Sequence, residues 1–272
     1  MSDRLRLTIL GCGSSPGTPR ITGDWGACDP SNPKNSRLRA AALFERISQT
    51  GRTTVAIDTG PDFRAQMIAA RVEKLDAVVY THSHADHIHG IDDLRGYFLA
   101  QRRRVDIHAD GATLTRLRDS FGYCFETPAG SSYPPIVEPH AIDHSAEFTI
   151  SGEGGPITFR PLPQEHGDII SLGYRVENIA YCPDVSGFPD ATAALLGGLD
   201  LLVIDALQYK PHPSHFSLGE ALEWVERLKP KKALLTHMHI PLDYDEVMRG
   251  TPDHVEPAYD GQRFEVDIQE AA

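Results

Sequence analysis

Thr81-His82-Ser83-His84-Ala85-Asp86-His87 places three imidazoles and one carboxylate in the order H-x-H-x-D-H. Neutral imidazole and carboxylate suit borderline divalent ions such as zinc, manganese or iron. With this spacing His82 and His84 can converge on one ion while Asp86 and His87 turn toward a second. A histidine-rich surface turn is the usual account of a lone histidine, but four ligand side chains in this order rarely arise that way. The stretch reads as a metal site.

Such ligands need a frame. Asp76-Ala77-Val78-Val79-Tyr80 is apolar and β-branched, which predicts a buried strand ending at Thr81. Gly90 and Ile91-Asp92-Asp93-Leu94 then open a helix expected over about 92–101. The ligands are therefore expected on a loop at a strand's C-terminal end. Upstream, strands are expected over 5–10, 40–47 and 53–57. Asp58-Thr59-Gly60 follows as a turn beside the metal loop. There Asp58 either orients a ligand histidine or accepts backbone bonds within the turn. Asp62 is expected to cap a helix over 63–70, with Phe63, Met67 and Ala70 on one face.

Downstream, a strand at 105–109 and a helix near 113–121 lead into an aromatic loop over 122–133. That loop either walls a substrate pocket or packs as an ordinary loop. Strands are expected at 147–150, 157–161, 170–176 and 179–181, the last two joined by a hairpin at Glu177-Asn178. Leu201-Leu202-Val203-Ile204-Asp205 is a buried-strand run. Ser217 and Glu220 form a capping box, and the helix after it carries Leu218, Ala221, Leu222, Val225 and Leu228 before Pro230 stops it. The strand over 232–236 delivers His237. Gly11-Cys12-Gly13-Ser14-Ser15-Pro16-Gly17 could cradle an anion on backbone N–H groups. It lacks the lysine and spacing of a P-loop, so its glycines are read as turn formers. Strands followed by helices in two rounds, with no internal linker, predict one domain over 1–272. Its class is α+β, a four-layer αββα sandwich of two mixed sheets packed face to face with helices outside.

Composition narrows the partners. The chain has 272 residues and a formal net charge of -12, so a broad basic surface for long nucleic acid is not expected. No apolar run approaches the roughly 20 residues that span a bilayer. Met1 to Leu7 alternates charged and apolar side chains like a strand, not a signal peptide. Cys12, Cys28, Cys124 and Cys182 are scattered without a C-x-x-C pair, which argues for a reducing, cytoplasmic setting.

The order Thr-His-x-His-x-Asp-His resembles the signature of the metallo-β-lactamase superfamily, over nearly the whole chain. The resemblance implies a later histidine, a bridging aspartate and a final histidine. His166 in Gln164-Glu165-His166-Gly167, Asp184 in Tyr181-Cys182-Pro183-Asp184 and His237 in Leu234-Leu235-Thr236-His237 match that order. It implies two divalent ions, zinc or manganese. His82, His84 and His166 would hold the first, Asp86, His87 and His237 the second, and Asp184 would bridge. Asp86 is also counted as catalytic.

Residues 21–39 resemble the cyclic-phosphate phosphodiesterases and coenzyme PQQ biosynthesis protein B. Members of that subgroup can hold a structural zinc on a cysteine cluster here. Only Cys28 remains in this stretch, and one thiolate does not make a zinc site. The activity implied is hydrolysis of a small cyclic or nucleotide-like phosphate diester by metal-bound hydroxide. The leaving alkoxide needs a proton. His215, in His215-Phe216-Ser217, resembles the general-acid element of the phosphodiesterase and tRNase Z branches, with a plain helix-cap histidine as the alternative and His212 as a rival. His89, His140, His144, His239 and His254 fit no ligand slot, and Cys182 is expected to be packed. The competing activities are a glyoxalase-II-like thioesterase and tRNA 3′ processing, with a non-catalytic carrier behind them and β-lactamase activity last. The expected partner is the small substrate, with no membrane and with a homodimer left open.

Overall fold

The computed structural model describes residues 3–268, among which no helix is long and apolar enough to cross a membrane. The chain divides into two compact units. One takes the residues up to Leu10, Ala41–Thr158 and those from Arg263 onward; the other takes Gly11–Ala40 and Phe159–Gln262.

The first unit's sheet uses β1 (Arg4–Gly11), β2 (Ala41–Ile47), β3 (Arg52–Ile57), β4 (Ala77–Val79), β5 (Val105–Ala109) and β6 (Val137–Ala141). A last strand, β14 (Arg263–Asp267), returns from the far end of the sequence. The order is β14-β1-β2-β3-β4-β5-β6, with β3 through β6 parallel. Parallel strands need crossovers. Here they include α1 (Phe63–Ala70), α2 (Ala85–Ile88), α3 (Leu94–Gln101) and α4 (Gly111–Phe121). Phe63, Met67, Leu94 and Leu117 from the helices join Leu43, Val78 and Ile107 from the strands in one buried cluster. Every residue of β4 is buried, as an uninterrupted apolar run requires. Because β3 and β4 are parallel neighbours, their C-terminal ends lie side by side, and Asp58 N–H donates to the Val79 carbonyl at 2.9 Å.

The second sheet has the strands β7 (Phe148–Gly152), β8 (Gly155–His166), β9 (Ile169–Val176), β10 (Ile179–Cys182), β11 (Leu201–Asp205), β12 (Lys232–Thr236) and β13 (Val255–Pro257). Its order is β13-β12-β11-β10-β9-β8-β7, with β10 through β13 parallel; β7 and the first residues of β8 fall among the first unit's residues. Its helices are α5 (Asp190–Leu195), α6 (Leu218–Leu228) and α7 (Tyr244–Gly250). The capping box is present: Ser217 Oγ accepts from Glu220 N–H at 3.3 Å, and Glu220 Oε2 accepts from Ser217 N–H at 2.8 Å. Leu218, Ala221 and Val225 form the buried stripe, and α6 ends at Leu228, with Lys229 left-handed before Pro230. Among the described residues, two mixed sheets of seven strands each, with helices, make the class α+β.

Four expectations need correction. Asp86 and His87 are not on a loop, because residues 85–88 wind into the single turn of α2. Asp62 stands at the start of α1, but its side chain makes no capping bond. The strand expected at 157–161 is the middle of a 12-residue β8 that runs on to His166, so that ligand candidate is the last residue of a strand. No element is expected from sequence after the strand over 232–236, yet that stretch forms an α-helix, β13 and β14, and β14 pairs antiparallel with β1, Arg6 opposite Glu265. Residues 269–272 and Met1-Ser2 lie outside the described residues. The loop at 122–133 buries Cys124 and Phe125 in the first unit's core, so at those positions it packs inward.

Candidate metal centre

In the first unit, Asp58 sits just past β3 with φ 67°, in the left-handed region that a non-glycine residue seldom adopts. The strain places a fully buried carboxylate beneath the ligand stretch. Its Oδ1 accepts from Thr81 N–H at 2.8 Å, and its Oδ2 accepts from Thr81 Oγ–H at 2.8 Å. The same Oδ2 faces His87 Nδ1 at 2.7 Å. Burial pushes the Asp58 carboxyl up from its ordinary range, and the contacts with His87 and Thr81 pull it back.

These bonds decide the histidine tautomers. A carboxylate only accepts, so His87 carries its proton on Nδ1. Thr81 has already spent its hydroxyl proton on Asp58, so His82 Nδ1, 3.0 Å from Thr81 Oγ1, is also the donor. In both rings Nε2 is then the lone-pair nitrogen, the atom that ligates a cation. His82 lies 4.5 Å from His84 and 4.3 Å from His87, centroid to centroid. His87 Nε2 lies 3.4 Å from Asp86 Oδ2. Two acceptors facing each other at that distance repel unless a cation lies against both.

In the second unit the logic repeats. His166 Nδ1 donates to the Ser214 carbonyl at 2.6 Å, which leaves Nε2 facing Asp184 Oδ1 at 3.9 Å. His237 follows β12 with φ 55°, a second left-handed non-glycine residue, and its Nε2 lies 3.2 Å from the same Asp184 oxygen. His215 stacks on His237 at 4.6 Å and meets His166 edge-on at 4.7 Å. His215 Nδ1 donates to Asp205 Oδ2 at 2.7 Å, and that oxygen also accepts from Val185 N–H at 3.0 Å. Ligand atoms of His166, Asp184 and His215, and of Asp205, His215 and His237, lie within 4.8 Å of one another in each group. Buried imidazole lone pairs turned on carboxylate oxygens are the donor set of a divalent cation, so the residues present fit a metal.

Within each unit the candidates named from sequence come together: His82, His84, Asp86 and His87 in one, His166, Asp184, His215 and His237 in the other. His212 is exposed, with its ring 5.3 Å from His215. Its pKa is lowered by partial desolvation, then by the His215 and His237 charges. Cys182 is packed, and burial pushes its thiol well up, away from reactivity. Cys28 donates its S–H toward the Ile240 and Leu242 carbonyls, both at 3.4 Å. Asp205 was missed as a functional residue, although a signal existed: it ends an apolar strand, as Asp58 follows one. His239 was set aside as structural. Its ring nitrogens meet Ser14 Oγ at 2.9 Å and Arg20 Nη2 at 2.6 Å.

A model of the beta-lactamase superfamily domain matches residues 53–238, more than half of the chain. The chain belongs to that superfamily. Among curated relatives, an octanoyltransferase of Porphyromonas gingivalis is 30% identical over 97% of this chain and 52% of its own length. The chain thus spans about half of that relative. A ribonuclease Z of Mycobacterium sp. (strain KMS) is 26% identical over 72% of this chain and 78% of its own. Among solved structures, a diphosphatase from the PhnP family is 37% identical with a TM-score of 0.86, covering 97% of this chain and 98% of its own. The fold is the metallo-β-lactamase fold, and that fold family implies divalent metal binding.

One prediction follows from the tautomers. Asp58→Ala should weaken zinc or manganese affinity by about 10–100-fold, because it releases Thr81, His82 and His87 together. Competition against a chelator measures it. Unchanged affinity in a folded variant would mean that Asp58 only ties up the turn.

Proposed function

We propose that this superfamily member is a metal-dependent phosphoric ester hydrolase. Its substrate would be a small cyclic or nucleotide-like phosphate diester, or the diphosphate link of such a compound. The observation that carries the reading is the Asp205–His215 pair, 2.7 Å apart, set against His166, Asp184 and His237. The similarity to a PhnP-family diphosphatase and to a ribonuclease Z points to the same class of bond.

In this reading both units act as one hydrolase domain. By the ligand order that the family resemblance implies, His82, His84 and His166 would hold one ion, Asp86, His87 and His237 the other, and Asp184 would serve both. Two divalent ions, zinc or manganese, supply a nucleophile at neutral pH and neutralise the charge that builds on the phosphoryl oxygens. The remaining work is the chain's own. Asp205 fixes His215 with its proton on Nδ1, so Nε2 is the atom that gives a proton to the leaving oxygen. The buried carboxylate favours the imidazolium before that transfer. Asp58 and the Ser214 carbonyl hold the ligand rings so that Nε2 faces inward. A net charge of -12 favours a small substrate over a long nucleic acid.

A thioesterase is the second reading, favoured only by the acyl chemistry in the octanoyltransferase name, which belongs to a chain about twice as long. A thiolate leaves without a general acid, so it gives His215 and Asp205 no task. The deciding assay loads the protein with zinc or with manganese and offers bis-p-nitrophenyl phosphate, cyclic nucleotides, a dinucleotide diphosphate and lactoylglutathione. Phosphoric esters should be preferred, with two ions per chain by elemental analysis. A preference for the thioester, or a single ion at full activity, would overturn the corresponding half of the proposal.

A further inference from the structure

The glycine- and serine-rich loop after β1 has no task in the chemistry above, yet it is built against the strand end that carries His237. Met238 N–H donates to the Cys12 carbonyl at 2.9 Å, and Ser14 N–H donates to the Met238 carbonyl at 3.1 Å. A Cβ on Gly13 would lie 3.0 Å from Arg37 Cβ and from the carbonyls of Arg37 and Leu38, so glycine is what allows this approach. Further along, Arg20 N–H donates to the Asp24 carbonyl at 2.9 Å and closes a tight loop. Both loops belong to the same unit as His237.

His239 joins them. Its Nε2 lies 2.6 Å from Arg20 Nη2, and its Nδ1 lies 2.9 Å from Ser14 Oγ. A guanidinium can only donate, so Nε2 is an acceptor and the ring is neutral, with its proton on Nδ1 directed at Ser14. Ser14 is 1% exposed, so the partner of Nδ1 is a buried hydroxyl. The consequence is electrostatic. A carboxylate at position 239 would hold Arg20 and cancel its charge; a neutral imidazole holds it and leaves the charge in place. Among the described residues, Arg20 pairs with the Asp24 carboxylate at 3.3 Å, with the two side chains 41% and 47% exposed. Such a surface pair contributes little. Arg20 is thus positioned and little compensated, held by a residue two positions from a candidate metal ligand.

We propose that Arg20, held by His239 and Ser14, is the subsite for a second anionic group on the substrate. The preferred substrates are then phosphoric esters that carry a further phosphate beside the one being cleaved. This rests on the phosphoric ester reading above. The two ions serve the reacting phosphate, and guanidinium suits a phosphate through paired N–H donors.

The test uses a matched pair of substrates, the p-nitrophenyl ester of thymidine 5′-phosphate with and without a 3′-phosphate. They share a leaving group and differ by one phosphate. Arg20→Gln should raise KM for the 3′-phosphorylated ester about 10–100-fold, as loss of a charge-assisted contact does, and should raise it at least about tenfold less for the plain ester. kcat should hold for both, and Arg20→Lys should recover part of the loss. Equal losses on the two esters, or a lowered Tm that accounts for them, would give Arg20 a general or structural role and overturn the proposal. If the wild type cleaves neither ester, the phosphoric ester reading fails. In that case calorimetric titration of metal-free wild type and Arg20→Gln with pyrophosphate still decides the subsite. Binding must be weaker in the variant, and equal binding rejects it.

Discussion

Asp184→Ala is expected to hydrolyse substrate at less than about a thousandth of the wild-type rate, a loss of about 4 kcal/mol in transition-state stabilisation. The Asp184 side chain is 2% exposed and its Oδ1 faces His237 Nε2 at 3.2 Å and His166 Nε2 at 3.9 Å. In the two-ion reading it is the ligand that both metals share, so its loss should lower the occupancy of both. The fold should survive, because the backbone here is held by other means. The Asp184 carbonyl accepts from Gln164 Nε2 at 3.0 Å and from Ser171 Oγ at 2.6 Å. Neither bond uses the carboxylate. The measurement is kcat/KM together with metal per chain and a thermal melt. A variant that keeps its metal and its turnover would show that the bridge is another residue. One that loses both through unfolding would leave the rate loss unassigned, and Asp184→Asn, which keeps the shape and removes the charge, then separates the two causes.

The contrast between Asp184 and Asp205 shows what a sequence discloses. The ligand stretch from His82 to His87 was legible because metal binding demands particular donors at close spacing, and few other needs produce four of them together. The parallel strands leading into it were legible for a similar reason: strands buried on both faces read as unbroken apolar runs. Ser217 and Glu220 announced α6 through a local rule that needs no tertiary information. Asp205, Ser214 and Thr81 act through geometry that the sequence does not carry. Asp205 ends β11, ten positions before His215, and the two meet only because the chain folds back after β11. The Ser214 carbonyl is a backbone atom, and any residue at that position offers one. His239 looked idle because its partners, Arg20 and Ser14, lie more than two hundred positions upstream. The short elements β13 and β14 were overlooked because edge strands alternate charge with apolar residues and depend on a neighbour for their pairing. Left-handed Asp58 and His237 carry no sequence mark, since neither is a glycine.

His215→Ala separates the two readings of the site. A general acid matters most when the leaving oxygen is a poor leaving group, such as a ribose hydroxyl, and least when it is a nitrophenolate. The variant should therefore lose roughly 10²–10⁴-fold in kcat/KM on a cyclic nucleotide or ribosyl diester, and much less on bis-p-nitrophenyl phosphate. Metal content should change little if His215 is the acid. That point needs measuring, because ligand atoms of His215 lie within 4.8 Å of those of His166 and Asp184. Loss of an ion together with equal losses on both substrates would make His215 a ligand. Asp205→Asn supplies an independent check. One Asp205 oxygen serves both Val185 N–H and His215 Nδ1, so an amide oxygen left there keeps both bonds but removes the buried charge that favours the imidazolium, which weakens the acid. The variant should reproduce the selective loss on the poor leaving group. The helix-cap role expects something different from His215→Ala: a stability cost of about 1 kcal/mol and small, equal effects on both substrates. The cap bond of α6 already belongs to Ser217, which accepts from Glu220 N–H at 3.3 Å, so this cost should be small even in a urea melt. The ratio of the two kcat/KM losses is the deciding number: well above one places His215 at the leaving oxygen, and a value near one removes it from the mechanism.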